Sequence, residues 1–125
     1  LENIILIVED NENIRKLVRL TLSGIGNFKI LEAISGNHAI KIVEQEKPNL
    51  IFMDIMISGN LDGLEVTREF KGNKDTANIP IIMLTAKGQK ADIEKGMEVG
   101  ADDYFVKPFS PTALIKITEK YLEIK

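Results

Sequence analysis

The chain has 125 residues, enough to close one hydrophobic core and too few for two comfortable ones. Its 44% hydrophobic and 28% charged content is that of a folded domain, not a disordered one. With no cysteine and a single histidine, His38, disulfide frameworks, thiolate metal sites and histidine zinc clusters are excluded, so any metal must be held by oxygen. A net charge of −3 provides no broad basic field, which argues against direct nucleic-acid or acidic-membrane binding. No apolar run approaches the ~20 residues of a spanning helix. These features set the expectation of a cytoplasmic domain with no membrane partner. A first residue of Leu1 fits a piece cut from a longer parent.

The first apolar run, "IILIV" (4–8), stops at Glu9 and Asp10. It reads as a strand buried on both faces, because its apolar residues are continuous and do not alternate with polar ones. A helical period follows at Ile14, Leu17, Val18 and Thr21, and Gly24 and Gly26 mark its end. "FKILEA" (28–33) is a second strand, mixed enough to suit a sheet edge. The next helix carries Ala39, Ile40 and Val43 and is closed by Pro48. His38 reads as a surface residue of that helix, with no phosphate-carrying role.

"LIFMD" (50–54) is a third strand ending in Asp54, and Leu64 to Phe70 form a third helix after Asp62-Gly63, a turn and helix-start pair. "IPIIMLT" (79–85) is a fourth strand ending at Thr85. A helix follows, and Gly100 stands after it. "DYFVK" (103–107) is a fifth strand ending at Lys107, and, like the other apolar runs, it reads as buried on both faces. Ser110 and Pro111 open the last helix as cap and first-turn proline, and Leu114, Ile117, Thr118 and Tyr121 share one face of it. Asp102 and Asp103 read as a solvated pair ahead of the fifth strand.

Strand and helix alternating five times predict a (βα)5 α/β domain, a doubly wound parallel sheet with helices on both faces. Ligands in such sheets bind beyond the carboxyl ends of the strands. If all five strands are parallel, Glu9, Asp10, Asp54, Thr85 and Lys107 share that edge. Three carboxylates in one place raise one another's pKa unless a cation neutralises them, and a hard divalent ion, most simply Mg²⁺ with Mn²⁺ as a substitute, answers that need. Lys107 and Thr85 add donors for an anion. The set suits a phosphoryl group, with Asp54 as nucleophile and the cation and Lys107 neutralising the transferring oxygens.

The segments "ILIVEDNENIRKL", "LIFMDIMISGNLDGLEV", "IPIIMLTAKG" and "GADDYFVKPFSP" together resemble the response-regulator receiver domain of two-component signalling, with the CheY-like fold. The resemblance spans nearly the whole chain, so residues 1–125 are taken as one receiver domain. It implies the strand order 2-1-3-4-5, Asp54 as phosphoacceptor, Thr85 as switch hydroxyl, Lys107 as phosphate-binding lysine and Tyr104 as switch aromatic. It implies metal ligation by Asp10, Asp54 and the backbone carbonyl of Met56, with Glu9 acting through water. Ala86 is small where it would lie against the phosphoryl group, and Lys107-Pro108 is implied to be cis, a state found in about 5–6% of such bonds. Implied partners are a sensor histidine kinase or histidine phosphotransfer protein, docking near Ile14 and the Pro108-Phe109 loop, and an output that the sequence does not name.

Two features depart from the family pattern. "DIMISGNLDG" has Ser58 where a proline is usual and one residue more before Asp-Gly. Ile93, Ala113 and Ile117 stand where relatives with DNA-binding outputs place the charges of an ion-paired dimer, so no such dimer is expected. Met56 and Lys87, at the positions that set signal lifetime in the family, offer no aid to an attacking water, so slow self-dephosphorylation is expected. The chain is thus read as a signalling switch and not an enzyme. Against the alternatives, a phosphatase of the haloacid-dehalogenase type would want Asp-x-Asp after the first strand, where Asp10-Asn11-Glu12 stands. A phosphorylation-independent interaction module would be expected to lack part of the acid, Asp, Thr, Lys set, of which none is missing. A flavin site would need a Gly- and hydroxyl-rich loop where "EDNENI" stands.

Overall fold

The computed structural model describes residues 3–57, 59, 61–86, 90–107 and 110–122. Its elements in chain order are β1 (Asn3–Val8), α1 (Glu12–Ser23), β2 (Phe28–Ala33), α2 (Gly36–Glu46), β3 (Leu50–Asp54), α3 (Gly63–Gly72), β4 (Ile81–Ala86), α4 (Lys90–Glu98), β5 (Asp103–Lys107) and α5 (Pro111–Leu122). The five strands are all parallel, in the order β2-β1-β3-β4-β5. This is the doubly wound fold and strand order expected from the sequence.

Pleating explains why the central strands read as unbroken apolar runs. Successive side chains face opposite sides of a sheet. Leu6, Val8, Ile51, Met53, Ile81 and Met83 pack with Ala39 and Val43 of α2 and Val66 and Phe70 of α3. Their neighbours Ile5, Ile7, Leu50, Phe52, Ile82 and Leu84 pack with Val18 and Leu22 of α1 and Leu114 of α5. Each face is therefore covered, and each position is apolar. Gly96 of α4 sits against Met83, which puts α4 on the first of these two layers.

Burial corrects one expectation. The apolar run of β5 was to be buried on both faces, yet β5, the edge strand that the order 2-1-3-4-5 makes it, has no residue fully buried, and Tyr104 on it is 41% exposed. β2 is the opposite edge, as its mixed composition suggested. The fourth strand starts at Ile81 and not Ile79, because Pro80 cannot donate to the ladder. In α1 the buried positions are Val18 and Leu22, whereas Leu17 is 36% exposed.

Helix ends follow from local chemistry. Asn11 caps α1, accepting from the N–H groups of Asn13 and Ile14. Ser35 caps α2, and Asp62 and Glu65 form a reciprocal capping box on α3. The Ser110 hydroxyl accepts from Ala113 N–H at the start of α5. His38 is exposed on α2, as expected. Asp102 is exposed and Asp103 half-buried, and both are also partnered within the chain. Asp102 accepts from Ile81 N–H and pairs with Lys71 at 2.8 Å, and Asp103 accepts from Tyr104 N–H and from the Tyr121 hydroxyl at 2.9 Å. Among the described residues no helix is long and apolar enough to cross a membrane.

Candidate functional site

The sheet register brings the strand-end residues together. Val8 pairs with Met53, so Glu9 and Asp54 stand one residue beyond that rung on adjacent strands. Asp54 pairs with Leu84, and Ala86 with Lys107. Glu9, Asp54 and Lys107 share the pleat parity of Ile7, Phe52 and Phe105, which face the α1 and α5 layer. The long Lys107 side chain reaches across β4, placing Nζ 2.7 Å from Glu9 Oε1 and 3.3 Å from Asp54 Oδ1.

Both acids are buried, Glu9 at 1% and Asp54 at 4% exposure, whereas Asp10 is exposed. Carboxylate oxygens of Glu9, Asp10 and Asp54 all lie within 4.8 Å of one another. Burial pushes Glu9 up to about 7, and the Asp54 charge adds to this against the opposing hydrogen bonds from Lys107 and Asn11 N–H. Burial alone would lower Lys107, but the hydrogen bond to Glu9 and the charges of Asp54 and Glu9 outweigh it and hold the ammonium above its ordinary value.

Asp54 is held from several sides. Met56 N–H donates to its Oδ1 at 3.1 Å, and its carbonyl accepts from Ile57 N–H at 3.3 Å. Ile55 N–H donates to Leu84 O, which extends the ladder past the nucleophile candidate. Gly63 opens α3 directly on the Asp54 carbonyl. Thr85 is fully buried, and its Oγ1 has no hydrogen-bond partner among the described residues. Ala86 is exposed at the end of β4, and the Met56 side chain is 71% exposed beside Asp54. Ser58, Lys87, Pro108 and Phe109, and with them the cis bond and the departure in the loop after Asp54, lie outside the described residues.

The donor set fits a hard divalent cation. Glu9, Asp10 and Asp54 all offer carboxylate oxygen, the ligand type such ions take. A spread of 4.8 Å is about twice the metal–oxygen distance of ~2.1–2.5 Å for such ions.

Sequence reading alone did not single out Arg15. Its guanidinium donates from Nη1 to the Glu9 carbonyl at 2.8 Å and from Nε to Glu32 Oε1 at 3.0 Å, and Nη2 pairs with Glu12. Glu12, Arg15 and Arg19, spaced three and four apart on one helix face, are a signal readable in the sequence. Their anchor Glu32, on β2, is placed there only by the fold.

Residues 5–119 match the response regulator receiver domain family. Over 111 residues the chain is 44% identical to the phosphate regulon transcriptional regulatory protein PhoB of Pseudomonas aeruginosa, covering 89% of this chain and 48% of that protein. Over 114 residues it is 45% identical to the transcriptional regulatory protein ResD of Bacillus subtilis, covering 91% of this chain and 45% of that protein. It therefore spans about half the length of these relatives. Among solved structures, the receiver domain of NtrX from Brucella abortus superposes with a TM-score of 0.87 at 33% identity, covering 97% of this chain and 99% of that one. The receiver domain of a sensor histidine kinase from Pseudomonas aeruginosa, solved with a magnesium ion coordinated in its active site cleft, gives 0.88 at 29% identity, covering 98% and 99%. On a sheet with this strand order and this constellation at its carboxyl edge, these matches make the chain a member of the response regulator receiver domain family.

Proposed function

We propose that Asp54 accepts a phosphoryl group from a phosphohistidine on a sensor kinase or phosphotransfer protein, and that this switches the α4, β5, α5 surface toward an output. The observation that carries the reading is the convergence at Asp54: one ammonium at 3.3 Å, and two further carboxylates within 4.8 Å. An Asp54 oxygen attacks phosphorus, the P–N bond to the donor imidazole breaks, and the imidazole nitrogen keeps the electron pair and takes up a proton. Asp10, Asp54 and the Met56 carbonyl would hold Mg²⁺ or Mn²⁺, with Glu9 bound through water. When bound, the ion supplies positive charge opposite the phosphoryl oxygens. Lys107 neutralises another of those oxygens and keeps Glu9 and Asp54 together before the donor arrives. The buried Thr85 hydroxyl needs a partner, and a phosphoryl oxygen would provide it.

Movement of Thr85 toward that oxygen leaves room for Tyr104, now 41% exposed, to turn inward. An unchanged NMR environment of the Tyr104 ring on addition of a phosphate mimic with Mg²⁺ would refute this step. The transfer itself is tested by intact mass after incubation with acetyl phosphate, with and without Mg²⁺, beside Asp54→Asn. The expected result is one phosphoryl group gained only with Mg²⁺ and only by the unsubstituted protein. Decay of that species within seconds would contradict the slow dephosphorylation expected from Met56 and Lys87, and a gain retained by Asp54→Asn would contradict the assignment of Asp54.

A further inference from the structure

We propose that Arg15 is a positioning residue for the acidic cluster: its guanidinium fixes the peptide between Glu9 and Asp10, and so sets where the Asp10 carboxylate stands relative to Asp54. This rests on the reading of the cluster as a divalent-cation site.

At the end of β1 the backbone leaves the sheet. Glu9 N–H still donates to Ala33 O at 3.0 Å, but the Glu9 carbonyl takes its hydrogen bond from Arg15 Nη1 at 2.8 Å. The donor is charged and the Arg15 side chain is only 12% exposed, conditions under which such a bond is strong and directional. The peptide unit is planar, so the direction of this carbonyl also fixes the N–H and Cα of Asp10. On the other side, Asn11 caps α1 and its N–H donates to Glu9 Oε2. The two-residue turn carrying Glu9 and Asp10 is thereby clamped between the sheet, the helix and one guanidinium.

All three nitrogens of Arg15 are engaged, with the Glu9 carbonyl, Glu32 of β2 and Glu12 of α1. Glu32 is itself held by Arg19, whose Nη1 lies 2.9 Å from both carboxylate oxygens. The fork geometry matters here. A lysine offers a point charge that does not reproduce three coplanar bonds in fixed directions.

Arg19 is an internal control. It carries the same charge on the same helix and meets the same two acids, yet the Glu9 carbonyl belongs to Arg15. Charge and position also predict opposite signs. Deleting a cation near three carboxylates strengthens their Coulomb attraction for a divalent ion, whereas freeing the Glu9 carbonyl loosens the ligand geometry and weakens binding. Outer-shell partners of metal ligands typically contribute about 10–100-fold to affinity.

The test titrates the protein with Mn²⁺ alone and reads free Mn²⁺ by its EPR signal, with circular dichroism as the check on folding. Arg15→Met is expected to bind about tenfold more weakly. Arg19→Met is expected to bind equally or slightly more tightly. Equal or tighter binding by Arg15→Met, or equal weakening by Arg19→Met, would overturn the positioning role and leave the cation site standing. If Arg15→Met does not fold, Arg15→Lys carries the test: loss of affinity with charge retained supports the role, and wild-type affinity refutes it. If the unsubstituted protein itself binds no Mn²⁺, the cation reading fails, and the role fails with it.

Discussion

Gly63 is the position where fold and chemistry meet most closely. It is the first residue of α3, and a Cβ built on it would stand 2.3 Å from the Asp54 carbonyl oxygen, 2.9 Å from Ile55 Cα and 3.0 Å from the Asp54 carbonyl carbon. All three are backbone atoms, so no side-chain rotation relieves the clash. Non-bonded atoms are comfortable at ~3.5 Å, so Gly63→Ala must push the start of α3 and the end of β3 apart by about 1 Å. Overpacking of this kind typically costs about 1–3 kcal/mol. Alanine returns up to ~1 kcal/mol of helix propensity in a helix interior, and less at a first position. A net loss of about 2 kcal/mol lowers the urea midpoint by ~1 M at a typical slope of ~2 kcal/mol per molar.

The assay is urea unfolding of the wild type, Gly63→Ala and Gly72→Ala, with Mn²⁺ affinity measured on each. Gly72 also lies in α3, but its Cβ would meet nothing within 4 Å, so alanine there should leave stability unchanged or raise it by up to ~1 kcal/mol. Gly63→Ala should also weaken Mn²⁺ binding, because the displaced backbone is that of Asp54. A Gly63→Ala protein within ~0.5 kcal/mol of wild type, with unchanged Mn²⁺ affinity, would refute the reasoning, since the site would then tolerate the backbone shift the clash requires.

Glu9 sits near 7 against an ordinary 4.5, so between those values the native state holds a proton that the unfolded chain has released. The ion-free protein should therefore lose stability as pH rises from about 4.5 to 7, on the order of 3 kcal/mol if the full shift is expressed. Urea midpoints of wild type minus Glu9→Gln across that range test this, with Mg²⁺ expected to reverse the loss; a difference that is flat or rises with pH in the ion-free protein would refute it. Dimerisation through ion pairs of Asp102 and Asp103 is not expected, because Lys71 and Tyr121 already engage them within the chain. A phosphorylation-dependent dimer in sedimentation that dissociates in high salt would contradict this.

The fold was legible because each layer of a parallel sheet leaves a local trace. Continuous runs such as 4–8 and 50–54 show burial on both faces, and the helical periods between them show crossovers. The position of a strand within the sheet leaves a weaker trace. The apolar run of "DYFVK" alone does not tell an edge from a centre; only the order 2-1-3-4-5, implied by the resemblance, put it at the edge, where its residues are no more than half-buried. The same limit applies to the site. Glu9, Asp10, Asp54, Thr85 and Lys107 were visible because each stands at or within two residues of the end of an apolar strand run. Arg15 was not singled out, since its role depends on Glu32 arriving beside α1 from a different strand. The partners of Asp102 and Asp103 were missed for a related reason: Lys71 comes from α3 and Tyr121 from α5, far away in sequence.

The arrangement gathers three carboxylates at one edge of the sheet. Lys107 pairs with Glu9 and Asp54, and burial raises Glu9 so that a proton offsets part of its charge. Both compensations involve groups that the proposed chemistry would claim: the ammonium for a phosphoryl oxygen, and the Glu9 charge for the cation. Binding and transfer would thus replace one set of partners with a stronger one on a nearly fixed frame. That exchange requires a frame stiff enough to hold three acids against their own repulsion. Asn11 N–H and Met56 N–H supply it by holding the Glu9 and Asp54 carboxylates, and Arg15 and Gly63 by fixing the backbone at Glu9 and at Asp54. Residues that never touch a phosphoryl group therefore govern how well the site receives one, and loosening any of them should appear first as weaker cation binding.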